Sequence, residues 1–271
     1  MALDPTRTLS LRRRANSEIN RRFKGIAVAA RQTVANMFLD NPLVVNAEPA
    51  DPRRFVYLYN PDKPEEFGKW LREQTDNDIL TGNRGANHWL NVYVGTAYGR
   101  SAVNVAQSFT KRTPAVEGLG GLASPNSVLA HPAHRQRAQL IYNRAFSQLN
   151  GITKQMEAQM QDVISQGILR GDVPTKIAKD LTDRVNKIGI TRSRLIARTE
   201  IIYAHNEAAI TEGERLGNVL GVDVKLRWIT TQDGRAREEH QRRNGRIISQ
   251  AQARAWIGEP NCRCSVVPLS P

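Results

Sequence analysis

Cysteine is nearly missing from this sequence, at 2 of 271 residues. No disulfide framework can be built from so few, which fits a reducing compartment. Long apolar runs are missing as well. No stretch approaches the roughly 18 residues of a membrane-spanning helix, and Met1 to Arg14 has no apolar signal core. The protein is therefore expected in the cytosol where it is made. Aromatic residues are only 6% and do not interleave with basic ones as on base-stacking surfaces, which argues against sequence-specific reading of nucleic acid. A Gly-rich phosphate loop and a Ser/His/Asp order are absent too. Acidic residues are outnumbered, 26 against 39 Lys and Arg, for a net formal charge of +13. Such an excess favours polyanions through long-range attraction and counterion release. The expected neighbours are DNA, contacted at its phosphates, or an acidic protein surface. The plainer alternative is a basic surface that serves solubility.

What is present reads as mostly helix. From Leu9 to Phe38 the apolar residues Leu11, Ala15, Ile19, Phe23, Ile26, Ala30, Val34 and Met37 recur at steps of three and four, which predicts one long amphipathic helix. Its other faces carry Arg12, Arg13, Arg14, Arg21 and Arg22, the candidate polyanion contacts. Asn41-Pro42 ends it, and Phe55 to Tyr59 reads as a short extended piece among prolines. A second helix is expected from about Pro64, burying Phe67, Trp70 and Leu71. A third runs through Trp89, Val92, Tyr93, Thr96, Ala97, Val103 and Phe109, read as core positions. Thr113 to Pro132 is the clearest linker, with His131 and His134 at a helix start beyond it. Arg135 to Leu169 reads as one helix or two broken near Gly151. Pro174 opens another, and Thr191 is the expected cap of a helix carrying Leu195, Ile196, Ile202, Ala209 and Leu216. Lys225 to Thr231, Ile247-Ile248 and Ser265 to Val267 read as strands. The expected fold is mainly α, a long-helix body with a small α+β carboxy-terminal cap. The expected organisation is a helical docking region over 1–112, a linker over 113–134 and a final domain over 135–271.

Chemically distinctive residues concentrate between Ile190 and Val267. Both cysteines lie there as Cys262-Arg263-Cys264, a spacing too tight for an unstrained disulfide. They act separately or share a partner. A turn at Arg263 would let both sulfurs converge on a structural zinc ion, with His240 as third ligand and Asp233 as fourth. The plainer reading is small buried thiols under a terminal strand. Arg198 and Glu200 are two residues apart on a helix and do not face each other. The expected ties are Arg198 to Asp233, and Glu200 to Arg235 or Arg237. Asn206 and Asn261 are expected to bond backbone through their amides, and His240 through a ring nitrogen.

Ala197-Arg198-Thr199-Glu200, Asn206, Trp228 to Thr231, Asp233, Arg235 to Arg237, His240, Gly245 and Asn261-Cys262-Arg263-Cys264 together resemble the phage Mu F-like family of head morphogenesis proteins. The resemblance covers the last third of the chain. It implies a minor capsid protein of a tailed phage that acts inside the head, bound to the portal protein and near packaged DNA, with scaffold or major capsid protein as further partners.

Two enzyme classes compete with this structural reading. His240, Asn244 and the cysteine pair suggest a metal-dependent nuclease, but one histidine without clustered carboxylates leaves a hydrolytic metal short of ligands. Glu212-Gly213-Glu214 suggests an ADP-ribosyltransferase, yet the pair falls on the last turn of a predicted helix and no Ser-Thr-Ser occurs. No catalytic residue and no organic cofactor are expected.

Overall fold

The computed structural model describes residues 4–39, 62–82, 85–112 and 123–269. The protein is mainly α-helical, with a small carboxy-terminal α+β part. In order, the elements are α1 (Leu9–Leu39), α2 (Asp62–Asp78), α3 (Trp89–Arg112), α4 (Pro125–Ala130), α5 (Pro132–Arg170), α6 (Pro174–Arg184), a π-helical segment (Val185–Ile190) and α7 (Thr191–Leu220). They continue with β1 (Leu226–Ile229), α8 (Glu238–Arg243), β2 (Ile247–Ile248), α9 (Gln250–Trp256) and β3 (Ser265–Pro268). No helix among the described residues is long and apolar enough to cross a membrane. The expected break at Asn41-Pro42 and the extended piece at Phe55 to Tyr59 lie outside the described residues. So do 113–122 of the expected linker, while its described part already turns helical in α4.

Two compact units result, each gathered from separated stretches. One comprises Met1–Asn16, Gly82–Phe146 and Leu195–Pro271, and the other Ser17–Thr81 and Ser147–Arg194. In the second unit the α1 stripe of Ile19, Phe23, Ile26, Ala30 and Val34 is buried, as the three-four periodicity requires. Phe67 and Leu71 of α2, Met156, Met160 and Ile164 of α5, and Ile177 and Leu181 of α6 are buried with it. Helix α5 passes Gly151 without a break, because a lone glycine costs a helix only about 1 kcal/mol and removes no hydrogen bond.

Thr191 does not cap α7. Its backbone is already helical, and the π segment joins α6 to α7 continuously, with the Thr191 hydroxyl donating to the Asn186 carbonyl. The π segment places Gly189 where a Cβ would lie 2.3 Å from Phe23 Cδ1 and 3.2 Å from Met156 Sδ. Both neighbours are buried and held by core packing. Gly189→Ala is therefore expected to destabilise by about 1–3 kcal/mol through overpacking. An unchanged urea midpoint would show that the Phe23 ring can slide aside.

The cap lies wholly within the first unit. β1 pairs antiparallel with both β2 and β3, giving the order β2-β1-β3 with Arg227 opposite Ile247 and Val267. Leu226 and Trp228 face inward, as their alternation with Arg227 predicts. They meet Ile210, Ile248, Ala253, Ile257 and Val266 in one core, together with both cysteines. Along α3 one expected core position is corrected: Val92 is 52% exposed. It falls off the arc set by Leu90, Val94, Ala97 and Tyr98, so the stripe there is narrower than its apolar residues suggested.

Candidate functional site

Helix α7 positions the cap from one side. Asn206 Nδ2 donates to the Cys264 carbonyl at 3.0 Å, and its Oδ1 accepts from the Val266 N–H at 3.2 Å. A side-chain amide offers donor and acceptor together, so one residue fixes both height and register of β3 on the helix. Two turns earlier, Arg198 Nη1 donates to Asn261 Oδ1 at 3.0 Å, and the Asn261 N–H donates to Thr199 Oγ1 at 3.3 Å. Asn261 takes φ +60°, a left-handed conformation that asparagine tolerates better than most residues.

The ion pairs differ from those expected. Asp233 meets Arg263 in a two-pronged contact, both bonds 2.6 Å, and not Arg198. Glu200 accepts from Arg144 Nε at 3.0 Å, and not from Arg235 or Arg237. Arg144 also lies 4.2 Å over the Tyr203 ring. Arg237 pairs with Glu259 and donates to the Pro260 carbonyl at 2.8 Å, while exposed Arg235 reaches Asp233 Oδ2 at 3.4 Å. The reason is topological: the turn after β1 faces the Asn-Cys-Arg-Cys segment, so charges there find partners on that segment before they find α7. The Arg263 hydrogen bonds hold the Asp233 carboxyl well below the usual range. Burial pushes Glu200 up, against the pull of Arg144.

Trp228 is fully buried at the centre. Its Nε1 donates to Thr230 Oγ1 at 3.0 Å, and the Thr230 hydroxyl donates to the His240 carbonyl at 2.6 Å. Gly245 turns at φ +79° and returns its N–H to the Trp228 carbonyl at 2.8 Å. These bonds seat α8 so that His240 Nδ1 lies 3.3 Å from Cys264 Sγ and 3.5 Å from Cys262 Sγ. On the ring's other side, Nε2 donates to Glu259 Oε2 at 2.9 Å. All three of His240, Cys262 and Cys264 are buried. Mutual interaction of the two thiols pushes Cys262 up and brings Cys264 down to about 7. Burial raises Glu259, but the His240 hydrogen bond, with Arg243 and Arg237 beside it, outweighs it and leaves its carboxyl below the ordinary value. The arrangement thus unites three of the four proposed metal ligands and sets Asp233 apart, its carboxylate committed to Arg263.

Arg215, Arg254 and Glu207 were not singled out from the sequence, and Glu212, Glu214 and His134 were named there without these partners. Glu212, buried on α7, accepts from Arg215 at 2.6 and 2.7 Å and from His134 Nε2 at 2.8 Å, while Tyr98 donates to His134 Nδ1 at 2.9 Å. The i,i+3 spacing of Glu212 and Arg215 was the legible signal; the His134 contact spans 78 residues and had none. Glu214 pairs with Arg254, which also donates to Glu207 at 2.9 Å. The Glu-x-Glu pair lies inside α7, not on its last turn, and both carboxylates are taken by arginines.

The cationic flank of α1 is also partly committed. Arg12 is buried against Asp4 and Thr8, and Arg21 and Arg22 bond Glu18, while Arg13 and Arg14 are exposed. A groove of about 780 Å³ in the first unit is lined by Arg7, Arg100, Lys111 and Arg112, all exposed.

His205, at the floor of that groove, is held down to about 4 by desolvation, with Asp4 pulling the other way. Between its unfolded value near 6.5 and 4, the unfolded chain binds more protons here, so stability falls as pH falls through that window. The loss is expected to be on the order of 2 kcal/mol. His205→Gln should flatten the pH dependence of melting between 6.5 and 4.5; an unchanged slope would show that other groups set it.

Residues 158–267 match the family described as Phage Mu protein F like protein. The match supports the resemblance read from the sequence and extends it upstream into α5. An uncharacterized protein of Haemophilus influenzae is 27% identical over 125 residues, which are 44% of this chain and 27% of that protein. The chain therefore spans well under half of that relative's length. No solved structure matches.

Proposed function

Taking residues 158–267 as a Mu F-like segment, we propose that this protein is a structural head morphogenesis component of a tailed phage, a minor capsid protein and not an enzyme. It assembles in the host cytoplasm and resides in the virion, inside the head near the portal vertex. The portal protein is its main partner, with scaffold or major capsid protein as secondary ones. The observation that carries this reading is the mutual commitment of the motif residues. Arg198 with Asn261, Asn206 with β3 and Asp233 with Arg263 satisfy one another, so the family's ordered motif builds a rigid module. Buried polar pairs of this kind specify one geometry more than they add stability.

The excess positive charge supports non-specific contact with packaged DNA. Arg13 and Arg14 on α1, and the groove cations Arg7, Arg100, Lys111 and Arg112, are the exposed groups that suit phosphate.

The test is co-expression of the tagged chain with the portal and head proteins of its phage, followed by gradient purification of procapsids. The protein is expected to sediment with portal-containing particles. A chain that stays free in their presence overturns the portal assignment. DNA affinity should fall steeply with salt, and Arg13 and Arg14→Ala together should reduce the slope by about 2. A metal-dependent nuclease would instead degrade plasmid when divalent ions are added and lose that activity on His240→Ala.

A further inference from the structure

We propose that His240 Nδ1, Cys262 Sγ and Cys264 Sγ bind one zinc ion, which fastens α8 to the Asn-Cys-Arg-Cys turn. The three ligand atoms lie within 4.8 Å of one another. In a tetrahedral site with Zn–N near 2.05 Å and Zn–S near 2.3 Å, nitrogen and sulfur stand about 3.6 Å apart. The observed separations of 3.3 and 3.5 Å require only a few tenths of an ångström of adjustment.

Convergence of two sulfurs from a Cys-x-Cys segment needs the middle residue pinned. Arg263 is pinned twice, by Asp233 at its guanidinium and by Thr231 Oγ1, which donates to its carbonyl at 3.1 Å. This gives Asp233 a role outside the coordination sphere, as the anchor of the turn.

The histidine is prepared in the same sense. Donation from Nε2 to Glu259 leaves the Nδ1 lone pair aimed at the sulfurs, the tautomer that a metal requires. Glu259 is itself oriented by Arg237 and Arg243. Without metal, Nδ1 can accept from Cys262 while the Cys264 thiol has Thr230 Oγ1 at 3.6 Å; a cation would instead draw the nitrogen and both sulfurs to one centre. Binding sends two thiol protons to solvent and leaves Zn²⁺ balanced by two thiolates. His240, Cys262 and Cys264 all line a cavity of about 80 Å³, together with Thr231, Arg237 and Asn261, which leaves room for a water as fourth ligand. A bound water needs only about 10–15 Å³ of such space.

The test uses the full chain, expressed in zinc-supplemented medium and purified without chelator. Elemental analysis is expected to find one zinc per chain. Titration of the stripped protein with Co²⁺ should raise the visible bands of tetrahedral cobalt and a thiolate charge-transfer band, both bleached by Zn²⁺. Native alkylation of Cys262 and Cys264 should be blocked by zinc and restored by EDTA. Cys262→Ser, Cys264→Ser or His240→Ala should abolish the cobalt bands, whereas Asp233→Asn should keep them. Glu259→Gln should weaken zinc binding 10- to 100-fold in chelator competition. Wild-type protein that is folded, holds zinc well below one equivalent and shows no cobalt bands overturns the assignment, whatever the variants do. Capsid association is read separately, so either idea can fail alone.

Discussion

Replacing Glu212 with alanine is expected to destabilise the protein by about 3–5 kcal/mol, the cost of removing one partner from a buried ion pair. Glu212 is 0% exposed, and its two oxygens receive both Arg215 hydrogen bonds and the His134 N–H. Arg215 is itself buried, so the alanine variant strips a desolvated guanidinium of its carboxylate. His134 loses the acceptor that sets its tautomer, and with it the geometry of its bond to Tyr98. The loss should appear as a lower guanidinium chloride midpoint. Pairing Glu212→Ala with Arg215→Met should recover part of it, because the double variant no longer buries an uncompensated charge. A single-variant loss below about 1 kcal/mol would mean that water reaches the site and screens the pair.

Trp228→Ala is expected to cost about 3–5 kcal/mol, the usual range for a large aromatic removed from a core. The ring is fully buried, edge-on to Trp256 at 5.6 Å between centroids and to His240 at 6.2 Å. Trp228→Phe keeps most of the apolar surface and loses the bond to Thr230, so about 1–1.5 kcal/mol is expected from that step. The two variants should also differ in thiol chemistry. With zinc present throughout, Cys262 and Cys264 of the alanine variant should react rapidly with an alkylating reagent, since the ring that seats the cap is gone; in the phenylalanine variant they should remain protected. Equal reactivity in both would show that Trp228 does not organise the cap.

The α1 stripe was legible because helical burial follows a fixed period, and Leu11 through Val34 obey it. The β1 strand was legible for the same reason at period two. The start of α9 is also written in the sequence: Ser249 and Gln252 form a reciprocal capping box, visible as Ser-x-x-Gln before Ala253. By contrast, nothing local distinguishes Arg263 from Arg198 as the partner of Asp233, or Arg144 from Arg237 as the partner of Glu200. Each candidate carries the same charge. The choice depends on which guanidinium the fold brings within about 3 Å of the carboxylate, and the Arg144 contact joins residues 56 positions apart. The same limit explains Arg12, which reads as a surface cation yet folds back on Asp4.

Periodicity and composition by themselves determined that this chain is a basic, largely helical protein with a small strand-bearing end, because burial patterns and net charge are properties of the linear order. The Cys-x-Cys spacing likewise determined that its two cysteines do not pair as a disulfide, leaving any contacts to other partners. Only the tertiary structure decided who those partners are. It brought His240 to both sulfurs, turned Glu259 to the outer face of the ring and took Asp233 away to Arg263. Short-range polar contacts are made where separated stretches of backbone converge, and convergence is a property of the packed whole.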